Sequence, residues 1–330
     1  MPGSENGISV VVCCYNSASR LPKTLEHLAR QTLPAGCCAE VIIVDNNSTD
    51  GTSKVAEAEW GNLGNPFPLI MEKQPLQGLS YCREKGIKTA NFEFVLLCDD
   101  DNWLKSNYLS TAFGIMSSDL SIGALGGRGE VVSDIAIPYW FHTYQSEYAV
   151  GVQSLDSGNL TNRGYLWGAG LILRKSVIEK FWKAGFTSLL ADRKGNQLSS
   201  GGDSEYCKWI LFAGHKLWYD ENLIFQHYLP ATRLTKRYYI EQKKGHDQSY
   251  LTLKKYELVY GFEKESIWSK TKMIFCTGGA ILKNIFSINM AGIERNLIQL
   301  SIYSPIIVHT LDPDIKKIRL MHRFARRTKF

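Results

Sequence analysis

The five residues Phe94-Val95-Leu96-Leu97-Cys98 are uninterruptedly apolar and run straight into three carboxylates, Asp99-Asp100-Asp101. So short and apolar a run has no polar face to give to water, which predicts a β-strand covered on both sides. In extended chain the side chains alternate, so Asp99 and Asp101 share one side and Asp100 faces the other. Crowded anions repel unless a cation or hydrogen-bond donors neutralise them. Carboxylate oxygens suit Mg2+ or Mn2+, and Mg2+ keeps water and shares its shell with substrate phosphates. A solvated acidic turn is the plainer alternative. The place of these acids, at the carboxyl end of a buried strand where open α/β sheets bind ligands, favours a metal–phosphate site.

Two further apolar runs end the same way. Ile8 to Cys14 stops at Tyr15-Asn16-Ser17, and Val41 to Val44 at Asp45-Asn46-Asn47-Ser48-Thr49-Asp50-Gly51. Leu21, Leu25 and Leu28 follow the first at helical spacing, with Pro22 tolerable in a first turn. A helix over about Thr52 to Trp60 follows the second, Leu69 to Met71 reads as a strand, and Gly78 opens a helix carrying Arg83 and running to about Ala90. Alternating strands and helices predict a mostly parallel, helix-covered sheet. In that architecture the polar strand ends converge on one edge. They bring together an aromatic ring, a carboxylate, Arg83 and an acidic metal site, the outline of a nucleotide diphosphate pocket. Neither GxGxxG after the first strand nor GxxxxGK[ST] occurs, which disfavours a dinucleotide-binding dehydrogenase and a P-loop NTPase.

Composition narrows the setting. At 330 residues, 44% hydrophobic and 21% charged, the chain has ample core for one large domain or two smaller ones. Its net charge of +6 lies almost wholly in the last twenty residues, where seven Lys/Arg face Asp312 and Asp314. That is a basic contact surface at one end rather than a nucleic-acid-binding body. The eight cysteines include two adjacent pairs and no CxxC, which fits reduced thiols in a cytoplasmic protein. No signal-peptide pattern opens the sequence. Met273 to Ile293 is interrupted by Lys283, Asn284 and Asn289 and is a poor transmembrane candidate.

The segments Val10 to Asn16, Ile42 to Gly51, Gly78 with Arg83, Asp99 to Asp101, Trp167-Gly168-Ala169-Gly170 and Gly201-Gly202-Asp203-Ser204-Glu205, on to about His227, resemble the family 2 glycosyltransferases of the GT-A fold. Their order and spacing carry the resemblance, which covers roughly the first two-thirds of the chain. It implies a Rossmann-like α/β catalytic domain over 1–245, with a nucleotide-sugar half to about 105 and an acceptor half over 106–245. A helical, partly amphipathic and basic region fills 246–330.

The resemblance also implies roles. Asp45 contacts the nucleotide base; Tyr15, Asn16 and Asn47 line the base and ribose; Arg83 lies near the uracil or the phosphates. The DxD motif falls on Asp99 and Asp101, with Asp101 a metal ligand and Asp99 nearer the ribose, while the triple acid leaves Asp100 in play. Asp203 corresponds to the general base that deprotonates the acceptor, though Gly202 stands where the family commonly has an acid. Trp167, Gly168 and Glu205 fall on the acceptor side. His227, after the strand Leu223 to Phe225, is a third metal ligand. Arg233, Lys236 and Arg237 lie on a loop able to close over the diphosphate. Each has a plainer reading: a helix cap for Asp45 or Asp203, an ion pair for Arg83, core packing for Trp167, a structural role for His227, solvated charge for the loop.

The whole implies an inverting enzyme dependent on Mg2+ or Mn2+, moving a sugar from a nucleotide diphosphate sugar to a glycan or lipid-linked acceptor in cell-surface polysaccharide synthesis. The alternatives are a sugar-nucleotide pyrophosphorylase, which needs a Gly-rich basic loop where Tyr15-Asn16-Ser17-Ala18 stands, and a non-catalytic glycan-binding protein. The stretch 268–311 and the stripe Ile315, Ile318, Met321 and Ala325 fit amphipathic helices on the inner face of a membrane, or equally a packed extension or dimer contact.

Overall fold

A computed structural model describes residues 6–194, 198–264, a few positions between 276 and 296, and 312–330 except 329. The expected strands form the start of the sheet: β1 (Gly7–Cys14), β2 (Cys38–Asp45), β3 (Leu69–Lys73) and β4 (Phe94–Asp99). They lie in the order β3-β2-β1-β4, all parallel. Cys14 pairs with Asp45 and Cys13 with Asp99, so the three polar strand ends reach one edge together. β1, β2 and β4 are nearly all apolar because helices cover both faces, and the polar exceptions Ser9 and Glu40 bond each other, Ser9 Oγ donating to Glu40 Oε1 at 2.6 Å. The helices are α1 (Leu21–Ala29), α2 (Thr52–Asn62) and α3 (Leu79–Thr89). α1 buries Leu21, Leu25 and Leu28, and α2 buries Ala56 and Trp60. α3 approaches β1 so closely that a Cβ on Gly86 would lie 2.2 Å from Val11 Cγ1.

Beyond β4 the sheet changes direction. β5 (Asn102–Leu104) and α4 (Tyr108–Ser118) lead to β6 (Ile122–Val132). A short α5 (Phe141–Tyr144), a 3-10 turn (Gln145–Tyr148) and β7 (Gly158–Asn159) precede β8 (Leu171–Arg174). β8 inserts antiparallel between β4 and β6. After α6 (Lys175–Lys183) and α7 (Gly202–Phe212), β9 (Lys216–Tyr228) runs parallel to β6 and antiparallel to β5. The strand anticipated at Leu223 to Phe225 is thus thirteen residues long. Its polar middle, Asp220-Glu221-Asn222, hid the rest, and the ladder is irregular where Gly126 and Arg128 of β6 pair across it. The pairing sets Asn102 opposite His227 and so carries the end of β9 to the acidic turn.

Tyr206, Ile210 and Ala213 recur at helical spacing, a pattern that reads as amphipathic, yet α7 is buried from Glu205 to Phe212, as a helix covered all round must be.

The chain divides into two units, Met1–Ser249 and Tyr250–Phe330, with the division inside α8 (Lys236–Lys264). In the second unit, Lys255 Nζ donates to Asp312 and Asp314, and Asp312 caps α9 (Pro313–Arg327) by accepting from the Asp314 and Ile315 amides. The α9 stripe Ile315, Ile318, Met321 and Ala325 is buried, as the packed-extension alternative expects. Most of 268–311 lies outside the described residues. Among the described residues, no helix is long and apolar enough to cross a membrane.

Candidate active site

The edge where β1, β2 and β4 end is built by loops that hold one another. Asp45 is buried, and its oxygens accept from the Ser48 amide (2.9 Å) and the Ser53 hydroxyl (2.5 Å). Asn16 has φ 49° and Asn47 φ 63°, left-handed values that asparagine tolerates well. Asn16 Oδ1 accepts from the Thr49 amide at 2.9 Å, tying the β1–α1 loop to the β2–α2 loop, while Asn47 is exposed. Tyr15 presents its ring at 40% exposure. A residue passed over in the sequence, Asn46, closes the edge: its Nδ2 donates to the Gln74 and Leu76 carbonyls, and its Oδ1 accepts from the Gly78 amide at 2.8 Å. This staple fixes the entry to α3, and with it Arg83.

The three acids separate. Asp100 turns beneath the β1–α1 loop, where its carboxylate accepts from Ser17 Oγ and from Arg20 Nη2 (2.6 Å). Thr24 Oγ1 donates to its carbonyl. Burial pushes this carboxyl up, Asp101 adds to the rise, and Arg20 and Ser17 oppose it. Asp100 is therefore an anchor of the loop that carries Tyr15 and Asn16. Asp100 and Asp101 lie in the turn after β4, so the alternation expected of an extended chain does not reach them.

Asp101 is 3% exposed and receives Arg233 Nη1 at 2.6 Å, with His227 Nε2 at 3.4 Å. Burial opposes its charge, yet Arg233, then His227, then Arg20 outweigh that and hold the carboxyl far below the usual range. The expected trio Asp101, Asp99 and His227 does not gather: among the described residues no three His, Cys, Asp or Glu side chains stand close enough to hold one ion. Asp99, at the end of β4, instead contributes to the negative field around Arg83.

The remaining pair still fits a hard cation. His227 Nδ1 lies 2.7 Å from the Tyr148 carbonyl, which only accepts, so Nδ1 carries a hydrogen. Nε2 is then the nitrogen that faces the Asp101 carboxylate, carrying a proton in the ion pair and a lone pair in the neutral tautomer. Two acceptors so placed need a proton or a cation between them, and a backbone carbonyl behind a histidine is the usual support of a metal ligand. One carboxylate and one imidazole leave the rest of the shell for water and phosphate oxygens.

A second cluster forms where α3, α7 and the turn before β8 meet. A Cβ on Gly168 would lie 2.7 Å from Asp203 Oδ2 and 3.0 Å from Arg83 Nη2, so any larger residue there would push on both side chains. Asp203 stands in the first turn of α7, half-buried, and its side chain makes no hydrogen bond or ion pair among the described residues. Arg83, expected near phosphates, is buried and paired at 2.6 Å with Asp192, a residue nothing in the sequence singled out. Burial raises the Asp192 carboxyl to about 6, with Arg83 opposing and Asp203 adding to the rise.

On the same side, Trp167 is 9% exposed, its amide donating to Gln153 Oε1, and the Arg163 guanidinium lies 5.5 Å from its ring. Glu205, assigned to the acceptor side, is 1% exposed and accepts from Ser188 Oγ and the Leu189 and Leu190 amides. It anchors the loop leading to Asp192, which corrects that assignment.

A nine-stranded sheet among the described residues, with a parallel half, acids at the end of β4 and a lone carboxylate opening α7, defines a GT-A fold. Two solved structures are similar to it. They are Staphylococcus aureus TarS 1–349 in complex with UDP-GlcNAc (TM-score 0.54, 17% identity, 97% of this chain and 91% of that one) and the Pyrobaculum calidifontis mannosyltransferase PcManGT in complex with GDP-Man and Mn2+ (TM-score 0.50, 15%, 97% and 84%). At these identities they bear on the fold alone.

The sequence profile of Glycosyl transferase family 2 matches residues 9–182, and the chain belongs to that family. EpsH of Bacillus subtilis is 29% identical over 180 residues, 52% of this chain and 48% of that protein. Glycosyltransferase AglE of Haloferax volcanii is 25% identical over 220 residues, 67% and 66% respectively. The chain thus spans about half the length of the first of these relatives.

Proposed function

We propose that the protein is an inverting glycosyltransferase that takes a sugar from a nucleotide diphosphate sugar and joins it to a hydroxyl of a glycan or lipid-linked acceptor, in cell-surface polysaccharide synthesis. The observation that carries this reading is the unbonded Asp203 carboxylate, opposite Gly168 and beside Arg83. The helix N-terminus favours negative charge at Asp203. Its oxygen accepts the acceptor's hydroxyl proton as that oxygen bonds to the anomeric carbon. The bond from that carbon to the diphosphate breaks on the opposite side, the electron pair leaves with the nucleoside diphosphate, and configuration inverts.

Asp45 and Tyr15 line the base and ribose side, and Asp99 faces the ribose. Asp101 and His227 would hold a Mg2+ or Mn2+ ion, which would supply Lewis-acid stabilisation of the departing diphosphate. Arg83 and Arg233 add fixed positive charge, which costs no reorganisation at the moment of reaction. A thermal-shift series with UDP, GDP and their sugars, each with and without Mn2+, tests the donor class. A ligand at 100 times its Kd adds about 2.7 kcal/mol of stability. A metal-dependent rise with one nucleotide is the expected result; no rise with any of them contradicts the reading.

The exposed basic side of α9, with Lys316, Arg323 and Arg327, supports peripheral contact with an anionic inner membrane face. Salt-sensitive co-sedimentation with anionic liposomes, lost on deleting 311–330, is the expected behaviour; binding unchanged by the deletion contradicts it.

A further inference from the structure

Gly202 directly precedes Asp203, and the space in front of it is filled. A Cβ on Gly202 would lie 2.7 Å from Asp192 Oδ2, so a carboxylate from the preceding loop occupies the place of a side chain at 202. That carboxylate receives Arg83 Nη1 at 2.6 Å, and both side chains are more than nine-tenths buried. The loop is held for this purpose on three sides. The Leu79 amide donates to the Arg193 carbonyl at 2.9 Å, Ser80 Oγ to the Ala191 carbonyl at 2.8 Å, and Ser199 Oγ to the Asp192 carbonyl at 2.5 Å. Asp192 itself has φ 58°, in the left-handed region that glycine adopts freely and aspartate only occasionally. The fold holds an aspartate where glycine is easier.

Arg83 has a second carboxylate in reach. Its Nη2 and Asp203 Oδ2 stand within 3.0 Å and 2.7 Å of one point, the Cβ direction of Gly168. A buried guanidinium with no other partner moves to the nearest anion, because an unpaired buried charge is costly. Bound to Arg83, Asp203 is a weaker proton acceptor.

We propose that Asp192 is a positioning residue: it occupies Arg83 and so keeps Asp203 unpaired and free to accept a proton, standing in for an acid absent at 202. The inference rests on the reading of Asp203 as the base.

Two substitutions test it on the full chain. Asp192→Gly removes the carboxylate at a position whose backbone already suits glycine, and Asp192→Gly with Gly202→Asp returns a carboxylate from α7. The readouts are crystal structures of each variant and UDP release from UDP-glucose and UDP-GlcNAc. In Asp192→Gly, Arg83 moves within hydrogen-bond distance of Asp203, and kcat falls about 10²-fold, the scale of a misplaced reacting group, with donor KM unchanged. In the double variant, Arg83 returns to residue 202 and most of the kcat is recovered, which a merely structural role of the loop does not produce. Should Asp192→Gly fail to fold, Asp192→Asn, which keeps the volume and one acceptor oxygen but not the charge, lowers kcat in the same direction by a smaller factor. Arg83 staying clear of Asp203 in the folded single variant, or a double variant as slow as the single one, overturns the inference. Asp203→Asn run alongside separates the two readings. If it loses turnover while Asp192→Gly keeps it, only this inference fails; if it too keeps turnover, the base itself is wrong.

Discussion

Asp203→Asn lowers kcat about 10²–10⁴-fold, the contribution of a positioned general base, and leaves nucleotide binding in place. Asparagine has the same shape but cannot accept the hydroxyl proton. The fold has little stake in this side chain, since the Asp203 carboxylate makes no hydrogen bond among the described residues. The melting temperature of the variant, and its rise with UDP or GDP, therefore stay close to those of the parent. A variant with near-normal kcat removes Asp203 from the mechanism. A variant that unfolds assigns it to the scaffold.

Asp101→Ala has the opposite profile, with a large effect on stability as well as activity. Asp101 is 3% exposed and Arg233 20%, so removing the carboxylate strands a guanidinium that water reaches only in part. Breaking such a buried pair costs about 3–5 kcal/mol. Removing the partner of an exposed pair, such as Glu241 beside Arg237, costs about 1 kcal/mol or less. The contrast decides the comparison: denaturant midpoints of Asp101→Ala and Glu241→Ala differ by several kcal/mol when converted through m. Asp101→Ala also abolishes any Mn2+-dependent increment in nucleotide binding. A variant that keeps that increment moves the metal elsewhere.

The sequence made the sheet edge readable because its signal is local. Three apolar runs ending in Tyr15-Asn16, Asp45-Asn46-Asn47 and Asp99 to Asp101 are strands by pattern alone, and parallel topology brings their ends together. What stayed hidden depends on partners distant in sequence. Asp192 lies 109 residues from Arg83 in a loop without periodicity, and no spacing links the two. Arg233 was seen only as a loop cation, because its carboxylate lies 132 residues away. Glu205 was assigned to the wrong side since position along α7 does not say which neighbour a side chain meets, and α7 has hardly any solvent face to mark one. The apolar stripe of α9 carried the same ambiguity, as a buried face and a membrane face have one pattern.

The most direct test is a crystal of the full chain soaked with UDP or GDP and Mn2+, read from the anomalous signal of the manganese. The account predicts an ion against Asp101 and His227, the diphosphate completing its shell, and the nucleotide base on the Asp45 side. Nucleotide bound at another face, with Arg233 still paired to Asp101 and no anomalous peak beside them, contradicts it.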